Sequence, residues 1–359
     1  MDKRSVTLAD GRELIYYGAS AADAASYPDT RSLEPVVVSS QARYDALREE
    51  WVLIAGHRMD RTYMPPEAQC PLCPSAPGRD TEIPAHNYDV AVFQNRFPAL
   101  APGTNDAAPV GEGVLLGAWP GNGRCEVVCF SQDHDVSFAD LTPGQAATVL
   151  AAWTDRTTEL ARLPGVRQVY CFENRGPEIG VTLSHPHGQI YAYPFVTPRT
   201  SRMLRAARGY RERTGKNLFE EMLTAERADG SRIVVTGAHW TAFVPHAAHW
   251  PYEVHLYPHR RVPDLTALTG SEQAEFCEFY LDLLRRFDRL FDSAAPYISG
   301  WHQAPAVAGR EELALHLELF TIKRAPGKLK YLAGSESGMD AFTNDLAPED
   351  AALRLRKLG

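Results

Sequence analysis

The chain of 359 residues lacks any apolar run long enough to cross a membrane, and it lacks a basic run. Its 37 basic and 45 acidic residues give a net charge of −8, which disfavours nonspecific binding to nucleic acid but leaves local basic sites for phosphate. The first six residues carry two cations with no apolar segment behind them, so they do not resemble a secretory signal. We therefore expect a cytoplasmic protein whose partners include neither a membrane nor a nucleic acid.

Cysteine is also scarce, because six in a chain of this length do not indicate a disulfide scaffold. Cys70 and Cys73 form a C-x-x-C motif in a Pro-rich loop, a spacing that can place two thiolates on one metal ion. Two further ligands would be needed, and the candidates are His86, His134 and His185. A redox role would place the motif at a helix start, which the flanking prolines argue against. The other cysteines fall mostly in apolar runs and are interpreted as buried thiols: Cys125, Cys129, Cys171 and Cys277.

The most informative stretch is His185-Pro186-His187-Gly188-Gln189, which leads into a probable strand through Tyr193. On an extended backbone, residues two apart face the same side, so both imidazoles can serve one pocket. Gly188 allows another group to approach the backbone closely. From the residues alone, each histidine could be a nucleophile, a metal ligand or a general base.

The chain contains signs of an internal repeat on either side of a polar helix predicted from about Arg199 to Ala228. Residues 126–130 resemble residues 253–257, and each segment is soon followed by a histidine and then by a Leu-Thr helix start. In this matching, His316 corresponds to His185, and Glu318 stands where the first copy has His187. We expect that the second copy kept the architecture and lost the chemistry.

These motifs together resemble the galactose-1-phosphate uridylyltransferase family of the histidine-triad superfamily. The resemblance runs from about Trp51 to Leu355 and is carried by Cys70-x-x-Cys73, Asp133-His134, Phe172-Glu173-Asn174, His185-Pro186-His187-Gly188-Gln189 and Gly300-Trp301-His302. It implies an α+β fold of duplicated histidine-triad-like units, with mixed or antiparallel sheets flanked by helices. The expected division is an N-terminal arm (1–45), a catalytic unit (46–198) and a degenerate, substrate-binding unit (199–359).

The resemblance implies a double displacement, in which His187 takes a uridylyl group from UDP-glucose and passes it to galactose 1-phosphate. The products are glucose 1-phosphate and UDP-galactose. A neutral imidazole is a competent nucleophile at pH 7, and phosphoryl transfer needs mostly positioning and charge stabilisation. Gln189, on the same side of the strand as His187, can donate its amide hydrogens to a nonbridging oxygen.

For the metal, the resemblance implies zinc bound by Cys70, Cys73, His134 and His185. Four protein ligands favour a structural role, in which the metal fixes the segment beside the nucleophile. Some family members carry a second metal site that includes a glutamate and an H-x-H pair. Here His302 and His316 remain, but Glu318 replaces the last histidine, which argues against a second iron or zinc site.

The resemblance also implies substrate-binding positions and a homodimer with shared active sites. Arg58 and Arg61 would bind phosphate or the partner subunit's nucleotide, although a solvated turn is the alternative reading of these two arginines. Arg96 stands where an acidic residue is common, and Ser335 where a tyrosine is common, so the preferred hexose is left open. The remaining positions expected to contact the nucleotide sugar or the hexose phosphate are Asn95, Asn174, Thr182, Gln189, Lys330 and Glu336.

Two other functions fit the same residues. A related nucleotidyltransferase or phosphorylase would share His187 and differ in its nucleotide or sugar phosphate. A zinc-stabilised binding module would keep the fold and form no covalent adduct.

Overall fold

The computed structural model describes residues 1–35, 40–60, 64–101, 115–291 and 293–359. Arg61, one of the expected phosphate-binding residues, lies outside the described residues.

Sixteen strands occur in the described residues, and eleven of them form one continuous sheet. The strands of this main sheet are β1 (Lys3–Thr7), β2 (Glu13–Tyr17), β5 (Val90–Gln94), β7 (Arg124–Cys129), β8 (Gln168–Arg175), β9 (His187–Tyr193), β10 (Ile233–Thr236), β11 (Trp240–Phe243), β12 (Tyr252–Pro258), β13 (Tyr297–His302) and β14 (His316–Thr321). Their order is β1-β2-β5-β7-β9-β8-β13-β14-β12-β11-β10. Smaller sheets consist of β3 (Gln41–Asp45), β4 (Glu50–Ile54) and β6 (Ala118–Pro120), and of β15 (Lys323–Ala325) and β16 (Lys328–Leu329).

The helices lie between or after these strands, and none of those described is both long and apolar enough to cross a membrane. They are α1 (Ala21–Ala24), α2 (Pro143–Leu160), α3 (Pro198–Thr214), α4 (Leu218–Asp229), α5 (Gly270–Arg289), α6 (Gly334–Met339) and α7 (Pro348–Arg356). Antiparallel strand pairs with helices packed against them confirm the predicted α+β fold class.

Two helices, α2 and α5, cover one face of the main sheet, and both start as the sequence predicts. Thr142 and Thr269 cap them by accepting a hydrogen bond from the backbone amide three residues later, at 3.3 Å in each case. The apolar stripe of α5 packs on the sheet and on α2, in one core that extends beneath both halves of the chain. That shared core makes the two halves a single packed layer of helices on a single sheet.

Two regions differ from what the sequence predicts. Within the expected arm of residues 1–45, β1 and β2 are part of the main sheet and form one of its ends. The single helix predicted from about Arg199 to Ala228 is wrong, because the structure divides it into α3 and α4. Gly215 ends α3 in a left-handed conformation (φ +74°), and Asn217 caps α4.

The two halves meet at the seam between β8 and β13, where Phe172 lies opposite Gly300. On its other side Phe172 lies opposite Gln189, and Gly300 lies opposite Glu318. A two-fold axis at the Phe172–Gly300 pair exchanges Gln189 with Glu318 and His187 with His316. An axis at the neighbouring Glu173–Ser299 pair instead exchanges His187 with Glu318.

The expected match of His316 with His185, and of Glu318 with His187, corresponds to the second of these axes. Local geometry favours the first axis, since β9 begins at His187 and β14 at His316, and Nδ1 of each histidine lies 2.8 Å from the carbonyl oxygen two residues earlier. The second copy retains an imidazole at the position of His187, but its ring is 1% exposed and stacks on Tyr257 and His302. Loss of access, rather than loss of the histidine, distinguishes the second copy.

The seam contains a buried carboxyl group whose ionisation should affect stability. Glu173 Oε1 accepts a hydrogen bond of 2.8 Å from the Tyr297 hydroxyl, while Oε2 has no partner among the described residues. Burial raises the pKa of Glu173 to about 7 from an ordinary value of 4.5. The folded chain thus holds a proton that the unfolded chain releases, so this group costs stability as the pH rises from 4.5 to 7.

We expect Glu173→Gln to unfold at the same denaturant concentration as the wild type near pH 4 and at a higher concentration at pH 8. The difference should approach about 3 kcal/mol and level off above pH 7. Denaturant titrations at several pH values measure it. An equal effect of the substitution at pH 4 and pH 8 would mean that the pKa of Glu173 is the same in the folded and unfolded chains.

Candidate active site and metal centre

The H-P-H-G-Q motif opens β9, a central strand between β7 and β8. Gly188 is required there because a Cβ would lie 2.7 Å from the Phe130 ring and 2.9 Å from the Phe172 carbonyl oxygen. This close packing fixes the strand that carries His187 and Gln189. Both side chains project to the face opposite the helices, as the alternation of the strand predicts.

The hydrogen bond made by His187 determines which ring nitrogen is free to react. Its Nδ1 lies 2.8 Å from the carbonyl oxygen of His185, and a carbonyl oxygen can only accept. Nδ1 therefore carries the hydrogen, and Nε2 of the neutral ring carries the lone pair. Burial lowers the pKa of His187, an effect that the carbonyl contact only partly offsets, so the neutral form prevails at pH 7.

Four side chains meet directly beside this strand. The ligand atoms of Cys70, Cys73, His134 and His185 all lie within 4.8 Å of one another. Nδ1 of His134 is 3.3 Å from the Cys73 sulfur, and Nδ1 of His185 is 3.6 Å from it. Two thiols and two imidazoles at these separations could hold a metal ion. The structure thus brings together the four residues that the family resemblance implies as ligands.

The surroundings of this cluster suit a cation. Burial, together with the neighbouring Cys70, raises the pKa of Cys73 to about 12, so a positive ion is what would stabilise the thiolate. His185 Nε2 is 2.8 Å from the Ser131 carbonyl oxygen and 3.1 Å from the Tyr88 hydroxyl. These contacts leave Nδ1 of His185 facing the thiols. Such outer contacts orient ligating imidazoles in known metal sites.

Two cavities flank the motif, and His187 lines both. The first, of about 190 Å³, also contains Gln189, together with three of the expected substrate residues, Arg58, Asn95 and Thr182. The second, of about 200 Å³, contains Asn174 and the backbone turn at Gly176. The Arg58 guanidinium donates to the Phe97 carbonyl oxygen at 3.1 Å and to the Tyr191 hydroxyl at 3.3 Å, which fixes it at the first cavity.

Not every expected residue lies here. Lys330 and Glu336 form a buried ion pair with each other, Lys330 also donates to the Thr343 carbonyl oxygen at 2.6 Å, and neither lines the two cavities. His86, the alternative ligand, bonds the Ser75 carbonyl oxygen at 2.6 Å through Nδ1 and is absent from the thiol cluster.

A second cluster lies in the C-terminal half, where His302 and His316 meet Glu318 within 4.8 Å. The carboxylate already has a cationic partner, because Arg199 Nη2 lies 2.8 Å from Oε1 and 2.6 Å from Oε2 of Glu318. Burial would raise the pKa of Glu318, but His302 and His255 outweigh it and hold this pKa well below its usual range. A guanidinium on both carboxylate oxygens competes with a metal ion for Glu318, so no chemistry is assigned to this cluster.

Sequence reasoning missed several residues that build the site. Tyr88 and Ser131 orient His185, and Glu82 lies at the first cavity with arginines around it. Tyr88 and Glu82 lie in loops without a recognisable motif, and three of their partners, Ser131, His185 and Arg12, are 43 to 97 residues away. Only the assembled fold reveals these contacts.

Comparison with known proteins gives the family. Residues 30–197 match the model described as galactose-1-phosphate uridyl transferase, N-terminal domain, and residues 203–359 match the C-terminal domain of the same family. The chain belongs to the galactose-1-phosphate uridylyltransferase family. The resemblance seen in the sequence is thereby confirmed.

Relatives in this family match most or all of the chain. A galactose-1-phosphate uridylyltransferase of Streptomyces lividans is 49% identical over 100% of this chain and 98% of its own length. The protein of the same name from Thermotoga maritima is 35% identical over 88% of this chain and 98% of its own length.

Solved structures are also similar to this chain over most of its length. A uridylyltransferase structure with 33% sequence identity superposes with a TM-score of 0.77, covering 89% of this chain and 98% of that one. An ADP-glucose phosphorylase from Arabidopsis thaliana, with 22% identity and a TM-score of 0.69 over 89% of this chain and 100% of that one, shares the fold.

The metal cluster can be tested on its own. We expect Cys70→Ser to lower the bound metal from about one ion per chain towards none, and to lower the melting temperature with it, because the ion joins a loop to the central sheet. Elemental analysis and thermal melting measure the two effects. Cys277→Ser, a buried cysteine on α5, is the matched control and should retain the metal. Unchanged metal content in Cys70→Ser would refute the ligand set.

Proposed function

We propose that this chain is a UDP-glucose:hexose-1-phosphate uridylyltransferase that acts through a uridylyl group on His187. The observation that carries the proposal is the tautomer of His187, whose Nδ1 is bonded to the His185 carbonyl oxygen and whose Nε2 is free between two cavities. The names of the relatives from Streptomyces lividans and Thermotoga maritima support the substrate class.

In the first step, Nε2 of His187 attacks the α-phosphorus of UDP-glucose. A nitrogen–phosphorus bond forms, the bond from that phosphorus to the bridging oxygen breaks, and glucose 1-phosphate leaves. In the second step, a phosphate oxygen of galactose 1-phosphate attacks the same phosphorus and the nitrogen–phosphorus bond breaks, giving UDP-galactose and free His187. One transfer thus becomes two steps between groups of similar energy.

The surrounding residues have matching roles in the proposal. The Gln189 amide donates to a nonbridging phosphate oxygen, and Arg58 supplies positive charge at the same cavity. Asn95, Asn174 and Thr182 contact the nucleotide sugar from the two cavities. For Arg61, a role in phosphate binding remains a proposal from its sequence position.

We propose zinc as the ion held by Cys70, Cys73, His134 and His185. Two sulfur and two nitrogen donors suit this metal, and four protein ligands leave no position for a substrate. When bound, the ion would fix the backbone that holds His187. A cytoplasmic location is part of the proposal, supported by six cysteines that are all free in the structure.

The positions of the cavities support the proposed division into a catalytic unit (46–198) and a substrate-binding unit (199–359). Both cavities beside His187 are lined by residues 58–189, within the first unit. The family matches change from one domain to the other between residues 197 and 203.

The covalent step predicts a measurable adduct. Incubation with UDP-glucose alone should add the mass of one uridylyl group to the wild-type chain, because the first step does not need the acceptor. His187→Ala should gain none, whereas His246→Ala, an exposed histidine away from the cavities, should gain one as the wild type does. Intact-mass spectrometry measures all three. An adduct of the same mass on His187→Ala would exclude it as the nucleophile, and no adduct on folded wild type would favour a binding module.

We also propose a homodimer with shared active sites. β3, β4 and the turn between them expose apolar side chains, including Leu47, Val52 and Ile54. For Lys330 and Glu336, a role in binding the hexose phosphate remains a proposal from their sequence positions.

Sedimentation velocity should give the mass of two 39.8 kDa chains. We expect Ile54→Asp to shift the protein towards the monomer, because a carboxylate would be buried without a partner. Met222→Asp, an equally exposed apolar position on α4, is the control and should remain dimeric. A wild-type monomer at micromolar concentration would contradict the proposal.

A further inference from the structure

The first 29 residues lie outside both family matches, yet one of them, Arg12, contacts Glu82 in the wall of the first cavity. Arg12 lies in the turn between β1 and β2, and its side chain is 5% exposed although it carries a full positive charge. A buried guanidinium requires partners, and one of those partners lies at the first cavity.

The Arg12 side chain makes three contacts, of which one is to Glu82 in the cavity wall and one is to Gln94, the residue before Asn95 in that wall. Its Nε donates to Asp10 Oδ2 at 2.7 Å, its Nη1 donates to the Gln94 carbonyl oxygen at 2.9 Å, and its Nη2 donates to Glu82 Oε2. The amide of Glu13 also donates to Gln94 Oε1 at 3.1 Å. The hairpin therefore holds the end of β5, immediately before Asn95.

Glu82 links Arg12 to Arg96, whose side chain lines the cavity. The Glu82 side chain is 8% exposed, and its second carboxylate oxygen accepts hydrogen bonds from Arg31 at 3.1 Å and from Arg96 at 3.4 Å. Arg96 lines the cavity with Glu82, and its side chain is 42% exposed. Of the three arginines on Glu82, Arg96 has the longest contact and the most exposed side chain, so it is the one free to meet an anionic ligand.

We propose that Arg12 is a positioning residue of the nucleotide-sugar site, acting through Glu82 and Gln94 on Arg96 and Asn95. The ligand of Arg96 is a phosphate oxygen of the nucleotide sugar, since a guanidinium at a cavity beside the reacting phosphorus suits that group. The proposal rests on the proposed function. It makes the N-terminal hairpin, which the family matches do not include, a part of the substrate site.

Charge balance explains why the arrangement holds Arg96 in place. Arg12, Arg31 and Arg96 face Asp10, Asp29 and Glu82, so three positive and three negative groups share the region. Without Arg12, Oε2 of buried Glu82 loses its partner, and the carboxylate would draw Arg96 closer and away from the ligand. The Gln94 carbonyl oxygen loses its donor at the same time, which frees the backbone before Asn95.

The test is the steady-state kinetics of Arg12→Met, which keeps the length of the side chain and removes its charge. We expect the KM for UDP-glucose to rise about tenfold, the loss of one charge-assisted contact, with kcat changed by less than about threefold. Arg96→Ala should raise KM similarly, and the double variant should resemble Arg96→Ala alone because both act through one contact.

Lys3→Met is the matched control on the same hairpin. Lys3 bonds Asp155 and Glu159 of α2, at 2.7 and 2.6 Å, and contacts neither Glu82 nor Gln94. Its KM should equal that of the wild type. An unchanged KM in Arg12→Met, additive effects in the double variant, or an equal rise in Lys3→Met would each overturn the proposal.

A second variant and a separate measurement of the adduct keep the test conclusive. If Arg12→Met does not fold, Arg31→Met removes the other buried guanidinium on Glu82 and is judged by the same KM and kcat values. If the wild type forms no uridylyl adduct, the proposed function itself is wrong. If the adduct forms but the KM of the folded arginine variant is unchanged, only the positioning role of the arginine is wrong.

Discussion

The hydrogen bond from His187 Nδ1 to the His185 carbonyl oxygen is the interaction on which the account depends. It fixes the ring, places the hydrogen on one nitrogen and leaves the lone pair on the other. The accepting carbonyl belongs to a residue whose own ring faces two thiols, and whose Nε2 is fixed by Ser131 and Tyr88. A metal ion at that cluster would thus stabilise the nucleophile's orientation through the backbone, without touching the substrate.

The second half of the chain shows what this geometry requires beyond the histidine itself. His316 repeats the position and the carbonyl contact of His187, yet aromatic rings cover it and Arg199 neutralises Glu318 beside it. An imidazole of the correct tautomer is therefore insufficient without a cavity and a neutral donor such as Gln189. The two-fold arrangement allows this comparison within a single sheet.

Local patterns predicted much of the site, because strand alternation, helix caps and the C-x-x-C spacing are properties of adjacent residues. They placed His187 and Gln189 on one face and nominated Cys70 and Cys73 with three candidate histidines, of which the family resemblance selected His134 and His185. They failed where the answer depends on distant partners. The register of the second copy depends on pairing across the seam, and the contact of Arg12 with Glu82 spans 70 residues. The break at Gly215 had a local signal, since a glycine followed by Asn217 is typical of one helix ending and another starting.

The most direct test of the central claim is the site of attachment in the uridylylated protein, determined by NMR of a chain labelled with ¹⁵N in histidine. The account predicts that phosphorus is bonded to Nε2 of His187 while Nδ1 keeps its hydrogen. Attachment at Nδ1, or on any other residue, would contradict it.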